Sequence, residues 1–507
     1  MSLKRNIIAN YISQLYVTGI GILILPLYIK YMGAEAYGLV GFFAMLQAWF
    51  AMLDLGLTPT IGRETARYHG GSMSALTYRQ LLRALTLIFI TIACVGGGSL
   101  WLLADTIAVK WLTVETLSLN VVTFAIEVMA ISVALRWLCG LYRGVITGSE
   151  KLVGLSIFNV FIATLRFIAV FVSMWLYGYT PTVFFIHQFV VAVIELLGLW
   201  LMGQLLIPNK KLIAEPIGWS FKPIKPILKF ALTIAFTSSV WVLVTQTDKL
   251  ILSGILSLEE YGYFTLAVLV ASGIMIISGP ISSAIMPRMA RLYAEGKESD
   301  VISVYRNSTQ VVSVISGAAS ITIACCANSL LYAWTGDLAL SEKAAPILSL
   351  YALGNGILAV AAFPYYLQYA KGNLRYHLIG NAVMVCLLIP AIIFAATYYG
   401  GVGAGYVWLF MNAFFLLTWI AYVHYKLEPG LHLQWLFKDI LAIYIPMTLI
   451  AIPVMYFPFE SLSRLTSIAY VVVIGISLIT VAALSSSLVR NFFISKFKLN
   501  YKNNLTY

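Results

Sequence analysis

Charge is scarce in this sequence. Only 10% of its 507 residues are Asp, Glu, Lys or Arg, whereas 61% are hydrophobic and the mean hydropathy is +0.90. Soluble globular domains carry about 25% charged residues, so this composition excludes that class. Apolar runs of about 20 residues, long enough to cross a bilayer, recur along the chain and leave no polar tract large enough for a soluble domain. We therefore predict an all-α, polytopic membrane protein.

Cysteine chemistry and nucleotide-binding loops are also missing. The five cysteines lie in or beside apolar runs, without a CxxC pair or a nearby histidine that would complete a metal site. The sequence contains no Walker A loop, no Rossmann glycine fingerprint and no HExxH motif. We expect no catalytic residue, no metal and no cofactor, so any energy source would be an ion gradient or the membrane potential.

Fourteen transmembrane helices are predicted from the apolar runs, and the first is interpreted as a retained helix rather than a signal peptide because it is too long for one. The predicted spans are 7–29, 38–61, 84–104, 119–142, 152–177, 183–207, 230–255, 262–286, 309–334, 345–369, 376–399, 403–425, 438–457 and 466–488.

The distribution of Lys and Arg predicts the orientation. Of the 32 basic residues, 25 fall in segments that are cytoplasmic if the N-terminus is inside, and four fall in the opposite segments. This asymmetry favours cytoplasmic termini. The net charge of +12 then reflects topology and does not indicate a nucleic-acid partner. Anionic lipid is the expected partner of four basic residues in the C-terminal tail. These are Arg490, Lys496, Lys498 and Lys502.

The chain contains an internal repeat. EAYGL at 35–39 returns as EEYGY at 259–263, and YRGVITG at 142–148 returns as YLQYAKG at 366–372, both after a shift of 224. A shared register predicts two homologous six-helix lobes arranged as parallel repeats about an axis along the membrane normal. The predicted organisation is an N-terminal lobe at 1–207, a cytoplasmic linker at 208–229, a C-terminal lobe at 230–426, and two extra helices with a basic tail at 427–507.

Charged residues within the spans are concentrated in the first lobe. Ionisable residues at membrane depth usually face a cavity or a partner, so we favour a functional role for them. Arg166 is the strongest candidate because it lies near mid-span, whereas Arg136 lies about two turns from the predicted cytoplasmic end. The first lobe contains Asp54, Glu127, Arg136, Arg166 and Glu195, and the second contains Asp248 and Lys249.

Several polar residues recur seven positions apart, which places them on nearly one helical face. Amides at such positions often hold helices together without touching cargo, and we favour this structural role for Gln14, Gln47 and Asn159. The clearest pairs are Gln47 with Asp54, Asn159 with Arg166, and Gln188 with Glu195.

Asp248 and Lys249 stand side by side near the outer end of a predicted helix. Adjacent residues point about 100° apart, so the two need not bind each other. We expect Asp248 to face the lobe interface and Lys249 to anchor the helix at the membrane surface, with a purely structural contact to the neighbouring loop as the alternative.

Three segments carry a family resemblance. TDKLILSGILSLEEYGYFTLA (247–267), MGAEAYGLVGFF (32–43) and LDLGLTPTIGRETAR (53–67) resemble the O-antigen and polysaccharide flippases of the multidrug/oligosaccharidyl-lipid/polysaccharide exporter superfamily. In that family an Asp-Lys pair precedes a short loop that ends in Glu-x-Gly-x-Tyr or a close variant, and this sequence has an extra Tyr261 between Glu260 and Gly262. Glu259, Tyr261, Gly262 and Tyr263 stand at those positions.

The resemblance implies translocation of undecaprenyl-pyrophosphate-linked oligosaccharide units from the cytoplasmic to the outer leaflet of the bacterial inner membrane. It makes membrane lipids, a polysaccharide polymerase and a chain-length regulator candidate partners. Arg136 and Arg166 would bind the diphosphate, since guanidinium suits phosphate geometry. Tyr365, Tyr366 and Tyr369 would offer aromatic surface to sugars. The acidic residues Asp54, Glu127 and Glu195, with Asp248 and Lys249, would couple an ion or balance charge.

Three other classes of membrane protein are alternatives to a polysaccharide flippase. A multidrug or sodium antiporter shares the architecture but usually has twelve helices and an acidic cavity. A polymerase or ligase typically needs a large external loop, and the longest predicted here is 105–118. A lipid II flippase is a nearer relative that the motifs do not exclude.

Overall fold

The computed structural model describes residues 3–54, 56–209, 216–455 and 463–490. Within these ranges the chain is almost entirely helical, and an isolated bridge between Thr113 and Ser257 is the one strand-like pairing. The predicted all-α membrane class is confirmed. Part of the predicted linker, 210–215, and the tail residues Lys496, Lys498 and Lys502 lie outside the described residues.

The chain divides into two compact units, Met1–Gly262 and Tyr263–Tyr507, and the boundary falls within a helix. The predicted lobes and linker stay a prediction. The first unit contains α1 Leu3–Leu23, α2 Leu25–Met32, α3 Ala34–Met52, α4 Leu57–His69, α5 Ala75–Leu102, α6 Ala104–Thr106, α7 Leu119–Gly148, α8 Leu152–Thr164, α9 Val170–Tyr177, α10 Pro181–Gln204, α11 Lys225–Ser253 and the first residues of α12 Leu258–Ala294, with π-helical segments at Ile107–Trp111 and Leu165–Ala169.

The second unit contains the rest of α12 and the helices that follow it. These are α13 Glu298–Cys325, α14 Ala327–Thr335, α15 Leu338–Ala361, α16 Phe363–Ala370, α17 Arg375–Leu417, α18 Trp419–Leu427, α19 Leu431–Gln434, α20 Ala442–Met455 and α21 Arg464–Ser485, with a π-helical segment at Trp435–Leu441.

Helix is the state that apolar runs must adopt in lipid, because it satisfies every backbone polar group within the segment. Several long helices also begin at side chains that cap the first turn. Ser74, Thr180, Asp337 and Ser463 each accept a hydrogen bond from the backbone N–H three residues on, at 3.0–3.3 Å. These caps locate the starts of α5, α10, α15 and α21.

The number of membrane crossings follows from helix length. Among the described residues, eleven helical segments are long and apolar enough to cross a membrane, or twelve if α3 and α4, bent by 54°, form one span. Residues Arg375–Leu427 count once although they comprise 53 residues. That length is about 80 Å, more than twice a hydrocarbon core, and the helix is broken at Gly400, where φ is +56°. The count of fourteen stays a prediction.

The helices α3 and α12, which contain the two copies of the repeated motif, contact each other closely at Gly38 and Gly262, within the first unit. A Cβ atom on Gly38 of α3 would overlap the carbonyl oxygen of Leu258, and one on Gly262 of α12 would lie 2.8 Å from that of Ala34. Gly38 and Gly262 are related by the shift of 224, and so are Ala34 and Leu258. The contact is therefore reciprocal, as in a two-fold symmetric interface, and it explains why both copies of the motif contain glycine.

The glutamate of the first motif anchors the loop before α7. The Glu35 carboxylate accepts hydrogen bonds from the backbone N–H groups of Glu115 at 2.6 Å, Thr116 at 2.9 Å and Leu117 at 2.9 Å, and from the Thr116 hydroxyl. Nearby, the Trp111 indole donates to the Ser253 hydroxyl at 2.9 Å. These bonds fix the loop against α3 and α11, so Glu35 has a structural role here.

Gly38→Ala is expected to lower the free energy of unfolding by about 1–3 kcal/mol, because the added methyl meets backbone that cannot rotate away. The matched control is Gly98→Ala in α5, where a Cβ meets nothing within 4 Å. That change should be neutral or stabilising, since Ala is favoured over Gly inside a helix. Thermal unfolding of both variants in detergent measures the difference. Equal melting temperatures would show that the crossing is not tightly packed.

The second unit contains a buried ion pair that sequence reasoning missed. Arg306 of α13 donates to both carboxylate oxygens of Asp439, from Nε at 2.6 Å and from Nη2 at 3.1 Å. Gln310 adds a third bond to Asp439 at 2.8 Å, and its own carbonyl oxygen accepts from Ser486 at 2.8 Å. The fully buried Asp439 lies outside the predicted second lobe, in the segment 427–507, where we had singled out no charged residue within a span. The network joins α13 to the segments around α20 and α21.

Candidate functional site

Glu195 of α10 is the centre of a buried charged cluster in the first unit. Its Oε1 atom lies 2.6 Å from Arg143 Nη2, and its Oε2 atom lies 3.1 Å from Arg166 Nη2 and 4.0 Å from Arg136 Nε. The Glu195 side chain is only 5% exposed. Three guanidinium groups therefore surround one carboxylate. We call Glu195 with these three arginines the arginine cluster.

Arg136 is the most buried of the three arginines, with a side chain that is 8% exposed. It donates to the side-chain oxygens of Gln47 at 2.9 Å and Gln188 at 2.8 Å, and its guanidinium lies 5.1 Å from the centre of the Phe43 ring. We expected Arg136 about two turns from the cytoplasmic end of its helix, but α7 continues to Gly148. Arg136 is therefore about 18 Å from the C-terminal end of α7.

Arg143 was missed by the sequence analysis, which placed it in the loop after the fourth span. It lies within α7, where it pairs with Glu195 and donates to Asn159 Oδ1 at 2.7 Å. Its side chain is 32% exposed. The signal that would have identified Arg143 is its spacing of seven residues from Arg136, the same spacing that marks Asn159 with Arg166 and Gln188 with Glu195.

Arg166 lies in the π-helical segment that separates α8 from α9. A π-turn interrupts the regular i→i+4 ladder and leaves carbonyl oxygens for other donors. Here α10 supplies them: Gln188 Nε2 donates to the Arg166 carbonyl at 3.0 Å, and His187 Nε2 lies 2.9 Å from the Leu165 carbonyl. The π-helical turn is thus fixed to the helix that carries Glu195, and Arg166 is positioned by both. Such turns occur frequently at functional sites.

The arginine cluster carries more positive than negative charge. Three guanidinium groups and one carboxylate leave a formal excess of two positive charges. Within the part of the chain that the structure describes, Nε of Arg136 and Nε of Arg166 have no hydrogen-bond partner. The Arg166 side chain is 24% exposed, so the cluster is not sealed. A group with two negative charges and several acceptor oxygens would neutralise it.

The other predicted carboxylates of the first unit, Asp54 and Glu127, form no ion pair with the arginine cluster in the described part of the chain. Asp54, at the break between α3 and α4, accepts hydrogen bonds from the Thr58 backbone N–H at 3.2 Å and from the Thr58 hydroxyl at 2.6 Å, so it caps α4. Glu127 lies nine residues before Arg136 on α7 and is half-buried. It has no hydrogen bond or ion pair among the described residues.

Asp248 and Lys249 form an ion pair, whereas we had expected them to have separate roles. Lys249 Nζ lies 3.4 Å from the Asp248 carboxylate and 2.7 Å from the Thr245 carbonyl oxygen. The Asp248 side chain accepts a further bond from the Lys249 backbone N–H at 2.8 Å, and Asp248 is 2% exposed. Because the lysine turns back along α11, the two charges compensate locally near the end of the helix.

The predicted tyrosines belong to the second unit, where they lie on α16. Tyr366 is buried and its ring packs edge-on against Phe363, with 5.4 Å between centroids. Tyr369 is exposed. Tyr365 has an intermediate exposure, and its ring centroid lies 4.5 Å from that of His377. Of the three, Tyr369 is the most exposed, at 45%, and Tyr366 supports the helix.

Residues 3–293 match the family described as polysaccharide biosynthesis protein. No protein of curated function matches the chain by sequence. Similar solved structures include the lipid II flippase MurJ in an inward closed conformation, at 11% identity and a TM-score of 0.64, with 94% of this chain and 98% of that chain covered.

Two further structures share the fold. One is an inward-facing multidrug resistance MATE transporter of the MOP superfamily, at 14% identity and a TM-score of 0.63, with coverage of 82% and 96%. The other is a MOP superfamily transporter from Pyrococcus furiosus, at 13% identity and a TM-score of 0.54, with coverage of 83% and 96%. The structural likeness establishes the fold of MOP superfamily transporters. With more than half of the chain matched by the family's sequence pattern, this protein belongs to the polysaccharide biosynthesis protein family.

Proposed function

We propose that the protein is a flippase, not an enzyme, and that it carries undecaprenyl-pyrophosphate-linked oligosaccharide repeat units, of O-antigen or exopolysaccharide, across the bacterial inner membrane by alternating access. The observation that carries this proposal is the excess of two positive charges in the arginine cluster. Charges at membrane depth are costly, at about 2.5–3.5 kcal/mol each on insertion scales, so an excess needs a ligand that neutralises it.

A diphosphate fits the cluster in both charge and shape. The Glu195 carboxylate bridges Arg143 and Arg166, and phosphate oxygens would bind beside it to the remaining donors of these two guanidinium groups. A planar guanidinium can bind two oxygens of one phosphoryl group, and Arg143 and Arg166 have partly exposed side chains from which to do so. In this mechanism the arginines bind the diphosphate while Glu195 and Gln188 hold their positions. Arg136 is the most buried of the three, so it attracts the diphosphate through its charge without contacting it.

The acidic residues are assigned two roles within this proposal. Glu195 balances charge in the unloaded state. Glu127 couples an ion gradient to transport, because it is half-buried on the same helix as Arg136 and has no partner among the described residues. Asp54 and the pair Asp248 and Lys249 keep their helices positioned. Tyr369 and Tyr365 offer the aromatic surface for sugars, and the buried Tyr366 supports their helix.

The proposal includes cytoplasmic termini, two lobes joined by the linker at 208–229, and a polysaccharide polymerase and chain-length regulator as downstream partners.

A lipid II flippase is the second candidate because its cargo also carries a diphosphate. A multidrug cation antiporter is disfavoured, since excess positive charge repels cationic drugs.

Deleting the gene tests the proposal. We expect loss of a surface polymer and accumulation of its lipid-linked repeat unit on the cytoplasmic side, measured by mass spectrometry of extracted lipids. The matched control is a strain that also lacks the first sugar transferase of that polymer. Because no repeat unit is then made, none should accumulate in this strain. Accumulation of lipid II in both strains would support the second candidate, and normal polymer without a redundant flippase would contradict the first.

A further inference from the structure

A second cationic site lies in the first unit, away from the arginine cluster. A cavity of about 210 Å³ is bounded by α5, α7, α10 and the chain that follows α10. Arg79 and Arg83 of α5 line it together with aliphatic side chains, among them Leu82, Leu141, Val145 and Ile217. Thr86, Tyr142 and Gln204 also line it, so the cavity combines a basic pair with polar and aliphatic groups.

The two arginines have only neutral partners in the described ranges. Arg79 Nε donates to the Pro208 carbonyl at 2.6 Å, and Arg83 Nη1 donates to the Gly218 carbonyl at 3.0 Å. Arg79 and Arg83 stand four residues apart, so their charges are neighbours on one helical face and repel each other. No carboxylate among the described residues offsets that repulsion. An anion within the cavity would do so.

Aromatic side chains place this cavity at the level of a membrane surface. The Arg83 guanidinium lies 5.3 Å from the centre of the Trp219 ring, and both Trp219 and Phe221 are exposed. Exposed aromatic residues beside basic groups at the ends of apolar helices are typical of the lipid–water interface. Arg79 and Arg83 also belong to a segment predicted to face the cytoplasm, where the leaflet is anionic.

We infer that this cavity binds the headgroup of an anionic phospholipid. The phosphodiester would lie between Arg79 and Arg83, and the start of an acyl chain would lie against the aliphatic wall. An uncharged sugar is disfavoured as occupant because it would not offset the charges of the two arginines, and these match a headgroup with net negative charge better than a zwitterionic one. Arg79 and Arg83 also bond to the carbonyl oxygens of Pro208 and Gly218, so a bound lipid would lie beside these two backbone positions. The inference does not depend on the cargo.

Thermal unfolding of the delipidated full-length protein in detergent tests the inference. Phosphatidylglycerol should raise the melting temperature, whereas phosphatidylcholine should have little effect. The double variant Arg79→Gln/Arg83→Gln should need at least about tenfold more phosphatidylglycerol for the same shift. The control variant Arg291→Gln/Arg375→Gln removes two charges from exposed positions of the second unit and should respond as the wild type does.

Two outcomes would overturn the inference. One is an equal response of the double variant and the control variant to phosphatidylglycerol. The other is an equal stabilisation of the wild type by inorganic phosphate, which would indicate a site for free anions. Should the double variant fail to fold, native mass spectrometry of the wild type decides: we expect one retained phosphatidylglycerol from a mixture with phosphatidylcholine, and retention of neither or of both equally would refute the site.

Discussion

Glu195→Gln is expected to reduce the amount of protein in the membrane severalfold. The substitution keeps the shape of the side chain but leaves Arg136, Arg143 and Arg166 without a carboxylate. Removing one partner of a buried ion pair costs about 3–5 kcal/mol, which is a large part of a typical unfolding free energy of about 5–15 kcal/mol. Quantitative immunoblotting of membrane fractions measures the loss.

A second substitution distinguishes charge balance from other roles of Glu195. Arg143→Gln in the Glu195→Gln background removes one of the unbalanced charges, so abundance should recover while transport stays low. The control is Glu295→Gln, which breaks an exposed contact with Lys297 and should change abundance little. Normal abundance of the Glu195→Gln single variant would show that the three arginines do not need this carboxylate for folding.

Arg166→Ala is expected to abolish most transport while abundance stays near that of the wild type. Glu195 retains Arg143 at 2.6 Å, so the carboxylate is not left unpaired. The loss of a charge-assisted contact with the diphosphate costs about 1.5–3 kcal/mol, or roughly ten- to a hundredfold in transport rate. Arg166→Lys should recover only part of the rate, because lysine keeps the charge but lacks the planar pair of donors. Surface polymer, normalised to membrane abundance, measures both.

The double variant Arg166→Ala/Glu195→Gln separates cargo binding from internal pairing. If Arg166 only neutralises Glu195, removing both should restore transport. If Arg166 binds diphosphate, transport should stay low in the double variant, since the cargo keeps its charge and lacks its cation. Arg291→Ala, which removes an exposed arginine of the second unit, is the control and should transport normally. Full transport by Arg166→Ala would refute the cargo role.

The membrane class, the helical segments and the family were predictable from the sequence because each depends on local composition. A run of apolar residues must form a helix in lipid whatever its neighbours are. A motif such as EAYGL is likewise recognised from adjacent residues alone. The spacing of seven residues also placed Gln188 with Glu195, and Asn159 with Arg166, on the faces that the structure uses. The same rule, extended past the predicted end of the fourth span, would have included Arg143.

The pairing of charges was decided only by tertiary structure. Sequence spacing fixes which residues share a helical face, but not the rotation of that helix or the neighbour it meets. Arg306 and Asp439 are separated by 133 residues, and nothing local to either predicts the other. Glu195 likewise meets Arg143 and Arg166 because α7, α10 and the π-helical turn pack together, a long-range result of van der Waals packing and hydrogen bonds between helices.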